Sequence, residues 1–516
     1  MKLFVVLIIA LSLSTVDAQF LKRTFRLDGQ ATTQPQPSSN SVSQILISNG
    51  RVILATDEGI NITTDGGKSF QTNFGVNSPT GASMSAIAVR GDTIVAASSS
   101  TTEISGTSYP VGDTLFVSTD NGVTWTDEPQ NRDSLADSTV TFGVDTLKAL
   151  PVTTDVNNIT YSLVFHRDTL YSANFAGGLR RSADLGKHWE RVVLPPDSLN
   201  YITEDSTDYT FQLSPVSGNI TTENNLNHRV FSLYSDGDSV LYVGTAGGIN
   251  KTTDNGYSWR KFNHQNSLEK ISGNFVVSLA VQNSGTVHII WGATVVADVQ
   301  EDPTEKSALS YSADGGATWN YILAGHFFHA MAFHDSTVVY GASDDGLFRT
   351  QDFGQSSQVI TNVFDPITKQ SILSQTFYAA ASNGDSIWVS SGDGTAVGVD
   401  NGNGFVLSEW HVFKAYSSVA ENATYFYPNP FSPHLDVGRI HYDVKNSSSQ
   451  VTIRIFDFSM HIVRTLLQNA TRGAGETDER WNGTSDRGGL VDNGVYFYSV
   501  SVDGGKPAWG KIMVIR

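Results

Sequence analysis

One short turn recurs along this chain, and it limits the folds open to it. Val117 to Trp125 read VSTDNGVTW. TTDGGKSF from Thr63, SADLGKHW from Ser182, TTDNGYSW from Thr252 and SADGGATW from Ser312 repeat the pattern Ser/Thr-x-Asp-x-Gly-x-Ser/Thr-aromatic, with His188 replacing the hydroxyl residue in the third copy. A sixth copy, TQDFGQSS, keeps Asp352 and Gly354 but lacks the aromatic; a seventh, GVDNGNGF, keeps Asp400, Gly402 and Phe405. The carboxylate accepts backbone N–H groups that follow it, the glycine takes a positive φ, and the aromatic covers a tight β-hairpin with apolar surface.

The same script precedes each turn. MSAIAVRGDTIVAAS, then TLFVSTD, is one version; VFSLYSDGDSVLYVGTAGGINKTTD and HAMAFHDSTVVYGASDDGLFRTQD are others. Each reads as an alternating strand, a polar turn, a second strand, a Gly-rich turn and a third strand entering the aspartate turn, with a short fourth strand after it. Four strands per unit, repeated every ~40 to 70 residues, predict a β-propeller over 40–417. SIWVSS (386–391) aligns with TIVAAS (93–98) and VLYVGT (240–245), which favours seven blades; the ring has six if that last unit is a linker. The fold class expected is all-β, a seven-bladed propeller followed by a small Ig-like sandwich.

These turns resemble the Asp-box (BNR) repeats of sialidases, sortilin-type receptors, plant-cell-wall glucanases and photosystem-assembly propellers. The resemblance implies that Asp65, Asp120, Asp184, Asp254, Asp314, Asp352 and Asp400 are structural, on the hairpins joining the two outer strands, away from the active face. The Phe/Tyr-Arg-x-Pro signature of sialidases is not met: the nearest string, Phe25-Arg26-Leu27-Asp28, lacks the proline and precedes the first blade.

Residues 1–18 have the form of a secretory signal peptide, with Lys2 ahead of an apolar run and Val16-Asp17-Ala18 at the cleavage site. A linker is expected at 19–39, and no later stretch is apolar and long enough to span a membrane. With no cysteine in the chain, disulfides and Cys-ligated zinc are excluded. Against 51 Asp and Glu stand 33 Lys and Arg, a formal net charge of −18, which disfavours nucleic acid and anionic membranes.

Hairpins between second and third strands should share the face opposite the aspartate turns. There Asp57 and Glu58, Asp344 and Asp345, and Asp393 come from units one, six and seven, which adjoin when the ring closes. They read either as a cation or polar-glycan site, or as a hydrolase acid/base pair, or as turn residues chosen for backbone reasons. Units three and four carry FAGG and TAGG at the same place, so the acidity is not uniform. Unit five adds ADVQEDPTEK, with Asp298, Glu301, Asp302 and Glu305. Insertions at 126–158 and 195–228 should crown that face; Tyr201, Tyr209 and Phe211 in the second suit carbohydrate or protein contact, or anchor the loop. His326, His329 and His334 are expected to be packing residues. No cofactor is indicated, with calcium an open option; no nucleophile elbow, P-loop or dinucleotide fingerprint occurs in a fitting context.

After a linker at 418–426 the repeat gives way to strands such as VTIRIFDF and VYFYSVSV with Asn-Gly and Asp-Gly turns, a small antiparallel sandwich over 427–516. Tyr427-Pro428-Asn429-Pro430-Phe431, Trp481-Asn482-Gly483, Gly494 to Tyr498 and Lys511 to Arg516 resemble, in order, the C-terminal sorting domain of type IX secretion cargo and the related Ig-like domain of flagellar hook-capping proteins. Met460 departs from the family, which has glycine between Asp457 and Val463. The resemblance implies Sec export to the periplasm and then passage across the outer membrane, with type IX-like machinery as a partner. A secreted or surface protein binding glycan or protein is the first expectation; a glycoside hydrolase using the acidic turns is the alternative.

Overall fold

The computed structural model describes residues 32–34, 36–72, 75–213, 225–265, 270–284, 287–297, 302–368, 370–404, 410–415, 424–434, 437–444, 448–473 and 475–515. The expected signal peptide, Phe25 to Asp28, Asp298, Glu301 and Phe405 lie outside them. Among the described residues, seven sheets share one plan: four consecutive antiparallel strands in sequence order. In the fourth sheet these are Val230–Asp236, Val240–Thr245, Gly248–Thr252 and Ser258–Phe262. Two sheets gain an outer fifth strand, Thr32–Gln34 and Tyr201–Thr203. The first strands, Val42–Ser48, Met84–Arg90, Thr160–His166, Val230–Asp236, Phe275–Ser284, Phe328–His334 and Phe377–Asn383, pack each on the next, and the last on the first. The ring is a β-propeller.

Second strands are covered on both sides by neighbouring blades, so alternation gives way to continuous burial. All six residues of Arg51–Thr56 and of Val338–Ser343 are buried. Successive blades are also stitched at their first hairpins. Arg51 Nη2 donates to the Gly91 carbonyl at 2.8 Å, Arg90 Nη1 to that of Arg167 at 2.5 Å, and Arg167 Nε to that of Asp238 at 2.9 Å. His334 reaches the Gly384 carbonyl at 3.0 Å, linking the last two blades.

Among the described residues no sheet mixes strands from the start and the end of the propeller sequence, and hydrogen bonds made with side chains join the last blade to the first. Ser390 Oγ donates to the Val42 carbonyl at 2.9 Å and the Ala415 N–H to Asn40 Oδ1 at 2.7 Å. The Phe413 ring lies 5.2 Å from Phe70 and 5.6 Å from Trp388 and covers Gly67, whose positive φ and lack of Cβ allow that approach.

The aspartate turns lie between third and fourth strands, at the hairpin end of the ring that also carries the stitches. At Asp314, Oδ1 accepts from Ser312 Oγ at 2.8 Å and the Thr318 N–H at 2.9 Å, while Oδ2 accepts from Thr318 Oγ1 at 2.6 Å. Asp65, Asp120, Asp254 and Asp352 make the same three bonds, and Asp184 makes them with His188 as its last partner. Asp400 differs. Gly398 stands where the others have Ser or Thr, and its fully buried carboxylate instead takes Arg349 Nε of the preceding blade at 2.5 Å, with Tyr340 Oη beside it. Burial opposes its ionisation, but these partners hold its pKa below the usual value. Trp410, 1 % exposed, stands just before the fourth strand His411–Phe413, where Trp125 and Trp319 stand in their own blades.

Two sheets form the C-terminal unit. One runs Tyr425–Tyr427, Gly438–Val444, Gly475–Trp481; the other orders Ile462–Arg472, Ser449–Phe456, Gly494–Val502, Ala508–Val514. Phe426, Ile440, Ile453, Trp481 and Tyr498 share its core. Met460, where the resemblance led to an expected glycine, has φ +65° and is left-handed. The unit docks on a hairpin between the sixth and last blades, Val363–Phe364 paired with Ser371–Ile372: Arg439 Nη2 donates to the Ser371 carbonyl at 2.7 Å, and the Arg480 guanidinium lies 5.8 Å from the Phe364 ring centre.

Candidate functional site at the channel mouth

The acidic turns do lie between second and third strands, and three of their five carboxylates already hold a base. His329 Nε2 is 2.8 Å from Asp344 Oδ1, and His326 Nδ1 is 2.7 Å from Asp345 Oδ2. Asp393 accepts from Lys414 Nζ at 2.6 Å and from the Leu373 N–H at 2.8 Å. Lys414 is almost wholly buried, and that burial, with repulsion from Arg439 of the docked sandwich, pushes its pKa down to about 8. Asp393 therefore belongs to the contact between propeller and sandwich. Asp57 and Glu58 are exposed. In the fifth-blade insertion, Asp302 caps its own loop through Thr304 and Glu305 accepts the Ala297 N–H at 2.7 Å. Among the described residues, no group of three or more His, Asp or Glu is arranged to hold a metal ion.

The insertion aromatics divide. Tyr209 and Phe211 pack, half-buried, on the core built by Phe142, Leu147, Ile202 and Trp259, and Tyr209 Oη accepts the Thr203 N–H at 3.2 Å. They anchor the loop. Tyr201, 54 % exposed, sits on the added outer strand paired with Arg260, at the rim of the ring. The earlier insertion is tied down by Asp133, which bridges Arg180 at 2.6 Å and Arg191 at 2.5 Å.

A feature that the sequence reading did not single out lies at the ring axis. Every first strand slips by one residue against its second strand at the same level, leaving Ser43, Ser85, Tyr161, Phe231, Val277, His329 and Tyr378 unpaired. A bulge of this kind re-aims a side chain. All seven line one central cavity of about 250 Å³ at the start of the first strands, the end of the ring that carries the acidic turns and insertions. Tyr161 and Tyr378 are 39 % and 42 % exposed. The Phe231 ring lies tilted 4.2 Å from Phe275 and 5.2 Å from Tyr161, and His329 lies 5.3 Å from Tyr378. One clue was present: the bulged residue is followed by Gln44, Ala86, Ser162, Ser232, Ser278, Ala330 or Ala379, small in all but the first.

Among solved structures the chain is similar to YCF48 from Cyanidioschyzon merolae, at 14% identity over 71% of this chain and 97% of that one, TM-score 0.42. It is also similar to a GH74 xyloglucanase from Xanthomonas campestris, at 15% identity over 93% of this chain and 68% of that one, TM-score 0.46. PorZ, a surface component of the type-IX secretion system of Porphyromonas gingivalis, aligns at 14% identity over 92% of this chain and 87% of that one, TM-score 0.23. No curated protein matches. Residues 435–506 match the FlgD Ig-like domain, and the C-terminal sandwich is an Ig-like domain of that description.

Proposed function

We propose that this chain is an exported bacterial binding protein, secreted or held at the cell surface, whose seven-bladed propeller recognises a glycan or a protein at the channel mouth. The sandwich serves as its address for a type IX-like secretion route. One observation carries the binding reading: all seven blades bulge at the same level and turn a side chain into one cavity, and five residue types share the seven positions. Uniform residues would suit a purely mechanical role; two exposed tyrosines, a phenylalanine and a histidine suit a ligand.

A glycoside hydrolase is the second reading, favoured by Asp344 beside His329 at the cavity edge. That chemistry needs two carboxyl groups flanking one glycosidic bond. Incubating the mature protein with a panel of soluble polysaccharides separates the two: retention on immobilised glycan or protein ligands without release of reducing ends supports binding, and steady release abolished in Asp344→Asn supports hydrolysis. For the address, deleting 427–516 should leave the propeller in the periplasm; unchanged export would count against that role.

A further inference from the structure

The cavity's lining narrows the ligand class, on the premise that the mouth is the binding site. The geometry points to a neutral oligosaccharide that enters end-first and seats its terminal sugar on the ring axis. Two aromatic walls stand over different arcs of the ring. Tyr161 and Phe231 come from blades three and four, with Phe275 of blade five tilted against Phe231; His329 and Tyr378 come from blades six and seven. Between and below them the lining is rich in hydroxyl and amide groups: Ser43, Gln44, Ser85, Ser162, Ser232 and Ser278.

A sugar ring offers both surfaces at once. Its C–H faces lie against aromatic rings, and its equatorial hydroxyls meet polar groups around the edge. Ser43, Ser85 and Ser232 already donate to the Met84, Ala97 and Val276 carbonyls and Gln44 Oε1 accepts the Ile87 N–H, so what the lining offers a ligand is serine lone pairs and the Gln44 amide N–H groups, which suit sugar hydroxyls that both donate and accept. The cavity is ringed by the first strands of all seven blades, so an oligosaccharide can lie in it only along the ring axis, where an internal segment would have to thread the ring. That geometry selects a chain end over an internal segment. Charge selects a neutral chain: the exposed turns nearest the His329 side carry Asp344 and Asp345, which repel uronic and other acidic sugars at short range.

The test is calorimetric titration of the mature chain with cello-, xylo- and malto-oligosaccharides, each from the disaccharide to the hexasaccharide. The expected result is binding of at least one series, with affinity that stops rising by the trisaccharide and falls at least about tenfold in Tyr161→Ala/Tyr378→Ala. Thermal unfolding of that variant, and retained binding in Tyr161→Phe, keep a folding defect distinguishable. Affinity that climbs with every added sugar, affinity untouched by the double substitution, or no binding by any of the neutral series would overturn the inference. In the last case, capture of a purified acidic glycan or of a peptide by the wild-type mouth would leave the broader binding reading standing.

Discussion

The two ends of the propeller obey opposite rules. At the hairpin end the aspartate turns are near copies, each satisfying its own backbone, and the stitches run from one blade to the next. At the other end the blades share a bulge but diverge in what they place there: serine, tyrosine, phenylalanine, valine or histidine. Repetition at one end reflects a demand that is the same in every blade, closure of a hairpin. Divergence at the other, on an equally regular backbone, reflects a demand made on the ring as a whole.

That contrast is broken most severely where a turn ceased to be a copy. Asp400 is buried against Arg349, so Asp400→Ala should leave a guanidinium without its charge partner and destabilise by about 3–5 kcal/mol, read by denaturant unfolding. The ordinary turns are solvent-exposed, and Asp314→Ala should cost only about 1 kcal/mol. Equal losses at the two positions would show that Asp400 is just another turn.

Acid provides a collective version of the test. Hydrogen bonds from the Thr318 hydroxyl and backbone hold the Asp314 pKa down to about 2, and those from Ser69 and His188 do the same for Asp65 and Asp184. A carboxylate whose folded pKa lies below its unfolded value stabilises the fold above the unfolded pKa, ~4, and loses that contribution as pH falls toward the folded one. Stability should therefore drop between about pH 4 and pH 2, and the drop should shrink as turn aspartates are replaced by asparagine. A pH profile unchanged by those substitutions would count against the turns as fasteners.

Legibility followed the same division. The repeat motif carried the propeller and the place of the aspartate turns because hairpin closure is local chemistry, written within eight residues. Asp400 differs from the turn that the motif implies because its partner, Arg349, is remote in sequence, and Trp410 follows it by ten residues where the other aromatics follow their aspartates by five. The channel mouth was missed because a one-residue slip leaves strand alternation nearly intact in a single sequence. Asp393 was grouped correctly on a hairpin, but docking of the sandwich cannot be read from the turn itself. In the sandwich, the Met460 departure was legible as a turn question, and its φ of +65° answers it. Met460→Gly should relieve a left-handed non-glycine residue and stabilise the domain by about 0.5–1 kcal/mol, visible as a raised midpoint.

The smallest expected stability change belongs to the mouth. Tyr161→Ala and Tyr378→Ala remove exposed rings and should alter stability by less than about 0.5 kcal/mol each. A large loss there would make the bulge ring a packing device.

A paired measurement bears most directly on the division of labour between the ends: glycan-array binding and thermal unfolding, run side by side on Tyr161→Ala/Tyr378→Ala and on Asp314→Ala. The expected result is binding lost with the melting temperature kept in the first, and the melting temperature lowered with binding kept in the second. Binding lost in Asp314→Ala at a temperature where it remains folded, and kept in the tyrosine variant, would contradict it.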